Sequence, residues 1–164
     1  MRIRSLFCAA IVVLLMLPSS IFAQNGEKPF QFSVWHPLQV HKAETSISGI
    51  RLNFVYGVNE NLTGVDLGFV NILNGNMTGY QHGLVNKVMG DFLGFQDGLV
   101  NINAGESHGI QMGFYNRSAS VRGLQLGFVN IADRLHGVQL GFVNINKAAE
   151  RFKFFPIINL SFSK

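Results

Sequence analysis

The feature that most constrains the fold is a short repeat. Residues 123–131 read Gly-Leu-Gln-Leu-Gly-Phe-Val-Asn-Ile, and residues 137–145 read Gly-Val-Gln-Leu-Gly-Phe-Val-Asn-Ile. Further copies open at glycines spaced 14 or 15 residues apart, with a degenerate first copy: Gly49, Gly64, Gly79, Gly94, Gly109, Gly123 and Gly137. Self-similarity at a fixed, short period indicates an array in which each copy supplies one small structural element.

Each repeat alternates apolar residues with small or polar ones. If the opening glycine is counted as position 0, positions 1, 3 and 5 of one copy are Leu124, Leu126 and Phe128, whereas positions 2 and 4 are Gln and Gly. Period-two alternation with two glycines excludes a helix and predicts a strand of about ten residues. Strands are expected near 62–72, 77–87, 92–102, 107–117, 121–131 and 135–145. The pieces between them contain Gly, Asn or Asp and are typical of tight turns.

Two all-β architectures can use this unit. In an antiparallel meander the last turn sets Phe128 against Val138 and each Gln against a Gly, so the pairing is self-consistent. In a parallel β-solenoid, Asn130 would instead stack on Asn144. A coil made of a single repeat leaves little room for Phe and Leu in one layer. We therefore expect the meander, closed into an up-and-down barrel of eight or nine strands, with the solenoid as the alternative.

The two ends of the chain differ from the repeats. Residues 1–23 combine two arginines with an apolar run and end in Ala23, which predicts a secretory signal peptide. The remainder, 24–164, is expected to form a single β-repeat domain. Its predicted parts are an N-terminal strand segment at 24–48, the repeats at 49–151 and a terminal strand at 152–164.

Prolines and the single cysteine also lie outside the repeats. Pro29, Pro37 and Pro156 fall in the end segments, and because proline cannot donate to a sheet ladder we expect these segments at sheet edges. Cys8 lies inside the predicted signal peptide. The mature chain is therefore expected to have neither a disulfide nor a cysteine metal site.

Charge is scarce and scattered. Charged residues make up 13% of the chain, against about a quarter in typical proteins. Removal of the signal peptide would leave 11 basic and nine acidic residues, a net charge of +2. Because the basic residues form no stripe with aromatic ones, nucleic acid is not an expected partner. So little charge predicts an apolar surface, which favours a membrane, another envelope protein or a second copy of the chain as partner.

The repeat units have a recognisable likeness. Gly-Val-Asp-Leu-Gly-Phe-Val-Asn at 64–71, Gly-Leu-Gln-Leu-Gly-Phe-Val-Asn at 123–130 and the flanking segments 32–39 and 155–162 resemble bacterial secreted surface-repeat proteins built on Gly-Leu-Gln-Leu-Gly-Leu-Val-Asn units. The resemblance covers nearly all of the mature chain. It implies export to the outer membrane or cell surface and a repeat architecture. It implies no activity and no site, because the family has no established function.

His82 and Asp97 are the main departures from the template. Both occupy position 3, where other copies carry residues such as Leu67 and Met112, and both architectures bring them into contact. Such a pair can orient a catalytic nucleophile or bind a metal. No nucleophile or third ligand falls at a position certain to lie beside them. We therefore interpret them as a polar pair that serves structure or association, and expect no catalytic, cofactor or metal site.

A second polar group is expected in the first two repeats. Asn53 and Asp66 are cross-strand partners in the meander, with Arg51 diagonal to Asp66. We interpret this group as a structural charge pair in the same belt as the glutamines at position 2.

The leading functional hypothesis is a non-enzymatic cell-envelope or surface β-repeat protein, in its strongest form a small outer-membrane barrel. Its odd positions would face lipid or a partner, and its Gln and Gly positions would form the interior. The alternative is a soluble periplasmic or secreted binding or adhesive module whose odd positions form the core. A hydrolase that uses His82 and Asp97 is a distant third hypothesis. No cofactor is expected.

Overall fold

The computed structural model describes residues 26–162, so the predicted signal peptide at 1–23 lies outside the described residues. The described chain is built from strands and contains no helix. In chain order the strands are β1 Lys28–Trp35, β2 Leu38–Gln39, β3 Ile47–Asn59, β4 Leu62–Leu73, β5 Met77–Val88, β6 Phe92–Asn146 and β7 Phe154–Ser161. They form one sheet in the order β2-β1-β3-β4-β5-β6-β7.

The repeats stack in parallel and in register. β3 pairs with β4, β4 with β5 and β5 with the start of β6, all parallel, and each pairing aligns the opening glycines of successive repeats. β6 continues through the remaining coils as one extended stretch. In these coils Asn130 donates a hydrogen bond to Asn144 over 2.8 Å. The strands predicted at 62–72 and 77–87 are found as β4 and β5, but the four predicted between 92 and 145 are joined in β6, so the turns expected between them are wrong. The predicted antiparallel barrel is also wrong, and the fold is the alternative, a parallel β-solenoid.

The reason for the error lies in where the large side chains point. The expectation of a meander rests on the premise that a thin coil has little room for the Phe and Leu side chains of positions 3 and 5, but the coil does not enclose these side chains. Phe69, Phe128 and Phe142 point outward and are 54%, 47% and 69% exposed. The interior holds the amides and a few apolar side chains, for which a coil of one repeat is wide enough.

The opening glycines allow the coils to approach closely. Gly94 has φ +138°, a value that residues with a Cβ rarely adopt, and a Cβ at this position would overlap the carbonyl oxygen of Gly79. The same relation holds for each opening glycine of the later repeats and the one before it. Glycine at position 0 is therefore required by the stacking itself.

The apolar core is small and divided. One buried cluster comprises Ile47, Leu62, Leu73, Met77, Val88 and Phe92, and a second comprises Val121, Ala132 and Leu135. Between them lies a buried polar network. Asn103 donates to the Ser107 hydroxyl over 2.7 Å, and the hydroxyls of Ser107 and Ser118 are 2.8 Å apart. Because each of these groups has a partner, the polar layer can replace apolar packing without orphaned donors.

The two ends of the sheet are edge strands. At the N-terminal end β1 runs parallel to β3, and β2 covers only the end of β1 after a turn at Pro37. At the C-terminal end β7, which contains Pro156, runs antiparallel to the last part of β6. Pro156 lies in the edge strand β7 and Pro37 in the turn between β1 and β2, so the expectation that these two prolines lie at the ends of the sheet is confirmed, whereas Pro29 lies in β1, which pairs with both β2 and β3.

Candidate functional site

The polar residues of the repeats lie inside the solenoid as hydrogen-bonded columns. The column at position 2 includes Gln81, Gln96, Gln111, Gln125 and Gln139. Each later glutamine donates to the one before it over 2.7 to 2.9 Å. The column at position 7 comprises Asn71, Asn86, Asn101, Asn116, Asn130 and Asn144, joined over 2.8 to 2.9 Å. Because their amides are paired, these buried side chains hold the coils in register.

A buried ion pair continues the glutamine column at its N-terminal end. Arg51 donates through Nε and Nη2 to the two carboxylate oxygens of Asp66, each over 2.7 Å, and both side chains are completely buried. Gln81 also donates to Asp66 over 2.8 Å. Parallel register makes Arg51 the direct neighbour of Asp66, not the diagonal one, while Asn53 bonds the same carboxylate over 3.2 Å. The interpretation of this group as structural agrees with the geometry.

The odd positions form a continuous outer surface, here called the front face. Its three columns are Ile50, Val65, Tyr80, Phe95, Ile110, Leu124 and Val138 at position 1; Leu52, Leu67, His82, Asp97, Met112, Leu126 and Leu140 at position 3; and Phe54, Phe69, Leu84, Leu99, Phe114, Phe128 and Phe142 at position 5. None of these side chains is buried. Apart from His82 and Asp97, every position is apolar or aromatic. The solenoid therefore presents a broad apolar sheet surface to its surroundings.

Aromatic rings stack along the front face. Phe114 and Phe128 have ring centroids 5.0 Å apart, and Phe128 and Phe142 have centroids 5.1 Å apart, with nearly parallel planes. Tyr80 and Phe95 stack in the same way at 5.6 Å. Because these rings stack on one another along the solenoid axis, each stacked ring presents its edge to a partner.

The expected contact between His82 and Asp97 is present in the middle of the front face. His82 Nδ1 lies 2.8 Å from Asp97 Oδ2, and the side chains are 54% and 29% exposed. The groove beside His82 is lined by Asn53, Phe54, Gly68, Phe69, Gly83 and Leu84. None of these residues is a serine, threonine or cysteine, so the groove supplies no hydroxyl or thiol nucleophile for a triad. Across residues 26–162 no group of three or more His, Cys, Asp or Glu side chains could hold a metal ion.

Two exposed charge clusters were missed from the sequence. Glu106 contacts His108 over 3.1 Å and Arg122 over 2.7 Å, and the hydrogen bond from His108, followed by that from Arg122, lowers the pKa of the Glu106 carboxyl. Asp133 contacts Lys147 over 2.7 Å, and this hydrogen bond lowers the pKa of Asp133. Lys147 follows Asp133 by one repeat period, as Arg122 follows His108. The repeat period could therefore have revealed both clusters, had the strands been read as parallel.

The C-terminal strand adds a further apolar edge. Of β7, only Asn159 is buried, where it donates to Gln139 over 2.9 Å and ends the glutamine column. Ile157 has φ +69°, in the left-handed region, and is 75% exposed. Non-glycine residues seldom adopt this conformation, and β-branched ones least of all.

The comparisons with known proteins add no family to this description. No protein family, curated protein or solved structure matches the chain. Within residues 26–162 no helix is long and apolar enough to cross a membrane. The resemblance to secreted surface-repeat proteins therefore stays a prediction.

Proposed function

We propose that this chain is a non-enzymatic structural protein of the cell envelope or surface, which acts by apolar association through its front face. The observation that carries the proposal is the contrast between an exposed apolar sheet surface and a buried polar interior. Soluble monomers seldom expose contiguous apolar patches larger than a few hundred Å², and larger patches mark sites of association. The front face extends over every repeat.

The construction of the coil suits this role. The inner ladders and the close approach of the glycines fix the backbone, so the front face is held in place before any partner arrives. A pre-organised surface loses little conformational entropy on binding. The front face therefore serves better for lasting attachment than for a reaction cycle.

Export is the second part of the proposal. It is supported by the predicted signal peptide at 1–23 and by the resemblance to secreted surface-repeat proteins. The absence of a hydroxyl or thiol nucleophile from the groove beside His82 supports a non-enzymatic role.

Fractionation tests the proposal. The full chain is expressed in a bacterial host, the envelope is separated from soluble material, and the envelope is washed at high pH. The front-face variant carries Phe69→Ser, Phe114→Ser and Phe128→Ser, at side chains that are about half exposed. The control variant carries Asn74→Ser, Ala104→Ser and Ala148→Ser, at exposed positions outside the front face.

We expect the wild type and the control variant to remain with the washed envelope, and the front-face variant to enter the soluble fraction with an unchanged circular dichroism spectrum. A soluble wild type would contradict the envelope role and indicate a secreted module instead. A front-face variant that stays with the envelope as the wild type does would show that this surface is not the attachment site.

A further inference from the structure

We propose that the partner of the front face is a second copy of this chain, packed face to face about a two-fold axis with the two solenoid axes antiparallel. This inference rests on the proposed function in taking the front face as the surface of apolar association, and it replaces the membrane by a second copy as the partner of that surface. A front face covered by a second copy is not free to hold the envelope, so a soluble, dimeric wild type would support this inference and overturn the envelope attachment. The axis would lie between the strands that open at Gly79 and Gly94 and would run along the strand direction. Three observations support this arrangement: the position of the His82 and Asp97 pair, the order of large and small side chains, and the area of the front face.

The first observation is the charged pair. The proposed axis passes between His82 and Asp97, so His82 of one copy faces Asp97 of the other, and Asp97 faces His82 in return. Each member of the pair then has a complementary hydrogen-bonding partner in its own chain and another across the interface. A hydrocarbon surface offers neither group a partner, so a lipid would leave the pair costly to bury. This difference favours a second copy over a membrane as the occupant.

The second observation is the order of large and small side chains, which is symmetric about the same axis. The rotation sets the repeats of Gly79, Gly64 and Gly49 over those of Gly94, Gly109 and Gly123. Aromatic residues then meet aromatic ones, as the pairs Tyr80 with Phe95, Phe69 with Phe114 and Phe54 with Phe128 show. Aliphatic residues likewise meet aliphatic ones, as Leu84 with Leu99 shows. Aromatic pairs contribute to binding beyond the area they bury.

A two-fold axis parallel to the solenoid axis is the competing arrangement. It would set aromatic residues over aliphatic ones within each repeat, but it would also place His82 over His82 and Asp97 over Asp97. The two Asp97 carboxylates would then face each other and repel. Apolar side chains adjust to a partner by changing rotamer, whereas like charges cannot be relieved in this way. The antiparallel arrangement is therefore favoured.

The third observation is the size of the surface. With about 4.8 Å per strand and about 3.3 Å per residue, the front face measures about 30 Å by about 18 Å. Its flat area is on the order of 600 Å² per partner, or about 1,200 Å² for the two copies, which is the lower limit for stable interfaces. The relief of the side chains adds to this area, so one face-to-face contact reaches the size that a stable dimer needs.

Charge exchange tests the proposal on the full-length purified chain. His82→Asp places acid against acid across the axis, and Asp97→Lys places base against base. Each variant alone should dissociate at least tenfold more readily than the wild type. Their mixture should form a heterodimer, because Asp at 82 in one chain then faces Lys at 97 in the other. Native mass spectrometry gives the masses, and circular dichroism of each variant verifies that it is folded.

Cross-linking tests the direction of the axes. In a Cys8→Ser background the introduced thiol is the only one, and a bismaleimide of about 10 Å spans two facing sheets. Leu99→Cys lies beside the antiparallel axis and should form covalent dimers. Leu140→Cys lies far from that axis and should not. If the two-fold axis were parallel to the solenoid axis, Leu140→Cys would form the covalent dimer and Leu99→Cys would not. That result would contradict the proposed axis.

The two proposals can fail separately. A monomeric wild type that still depends on its front face for envelope attachment would overturn the second copy as partner and leave the proposed function intact. A mixture of the two charge variants that stays monomeric, while the wild type is dimeric, would also overturn the proposed contact. A front face that affects neither attachment nor mass would overturn both proposals.

Discussion

The inner and outer side chains of the same strands differ in the reverse of the usual sense. In most half-buried strands the apolar residues face the core and the polar ones face water. Here Gln111 and Asn116 are buried, whereas Phe114 between them is 55% exposed. Cohesion of the coil and availability of its surface therefore have separate physical causes. Paired amides and close glycines hold the coil together, and the outer apolar columns are left available for a partner.

The inner side should be the more sensitive to change, and Gly94→Ala should show the largest effect. A Cβ at position 94 would overlap the carbonyl oxygen of Gly79, and φ is +138°. We expect a loss on the order of 4 kcal/mol or more in the free energy of unfolding, measured by urea titration. Gly26→Ala is the control for the positive φ alone, because φ is +80° there too but nothing lies within 4 Å of the added Cβ. Equal stability of the two variants would contradict the close stacking of the coils.

Arg51→Leu should have the next largest effect. It leaves the completely buried carboxylate of Asp66 without its cation, which typically costs about 3 to 5 kcal/mol. Replacing both partners with glutamine, Arg51→Gln with Asp66→Gln, continues the glutamine column and should cost much less than the single change. Thermal melts of the two variants decide the point. A double variant that is less stable than the single one would show that two glutamines cannot replace Arg51 and Asp66 in the inner column.

Two phenylalanines compare the inside and the outside directly. Phe92 is 1% exposed and belongs to the buried cluster, whereas Phe128 is 47% exposed on the front face. Phe92→Ala should lower the free energy of unfolding by about 3 to 5 kcal/mol, because it leaves a cavity. Phe128→Ala leaves none, and under dilute conditions that keep the chain monomeric it should cost about 1 kcal/mol or less. Similar losses in the two variants would show that the front face is part of the folding core.

The exposed charge clusters should matter least, and their effect should depend on pH. Glu106 has a pKa below its ordinary value of 4.5, because it bonds His108 and Arg122. A carboxyl with a lowered folded pKa stabilises the protein above its unfolded pKa, and this contribution is lost as the pH falls through the folded value. Below about pH 4.5 the wild type should therefore lose slightly more stability than Glu106→Gln. Because solvent screens this carboxyl, the two variants should differ by only about 0.5 kcal/mol in the free energy of unfolding, obtained from melting curves across the acid range. An equal or larger acid loss in Glu106→Gln would contradict the assigned cause.

Much of the fold could be predicted from the sequence. The repeat period located the strands, and the alternation separated the two faces. What the alternation could not supply is strand direction. Phe128 finds an apolar partner in Val138 when the strands are antiparallel, and stacks on Phe142 when they are parallel. Period two is the same in both directions, so pairing alone leaves the choice open.

The contact between His82 and Asp97 could be predicted from the sequence, but the exposure of the two side chains could not. His82 and Asp97 occupy one position of successive repeats, so either direction brings them together. Whether the two side chains are exposed depends on which residues form the core. That in turn depends on whether a coil of one repeat can enclose large side chains. Because Asp97 lies at the surface, loss of His82 alone leaves no deeply buried charge, and the isolated chain should lose about 1 kcal/mol or less.

Nuclear Overhauser contacts in the folded chain distinguish parallel, in-register stacking from an antiparallel arrangement. Parallel stacking predicts contacts between residues one repeat apart, such as Phe114 with Phe128 and the side-chain amides of Asn130 with Asn144. It also predicts slow hydrogen exchange of those buried amides. Close contacts between the α-protons of Phe128 and Val138 would be diagnostic of an antiparallel hairpin and would contradict the parallel solenoid.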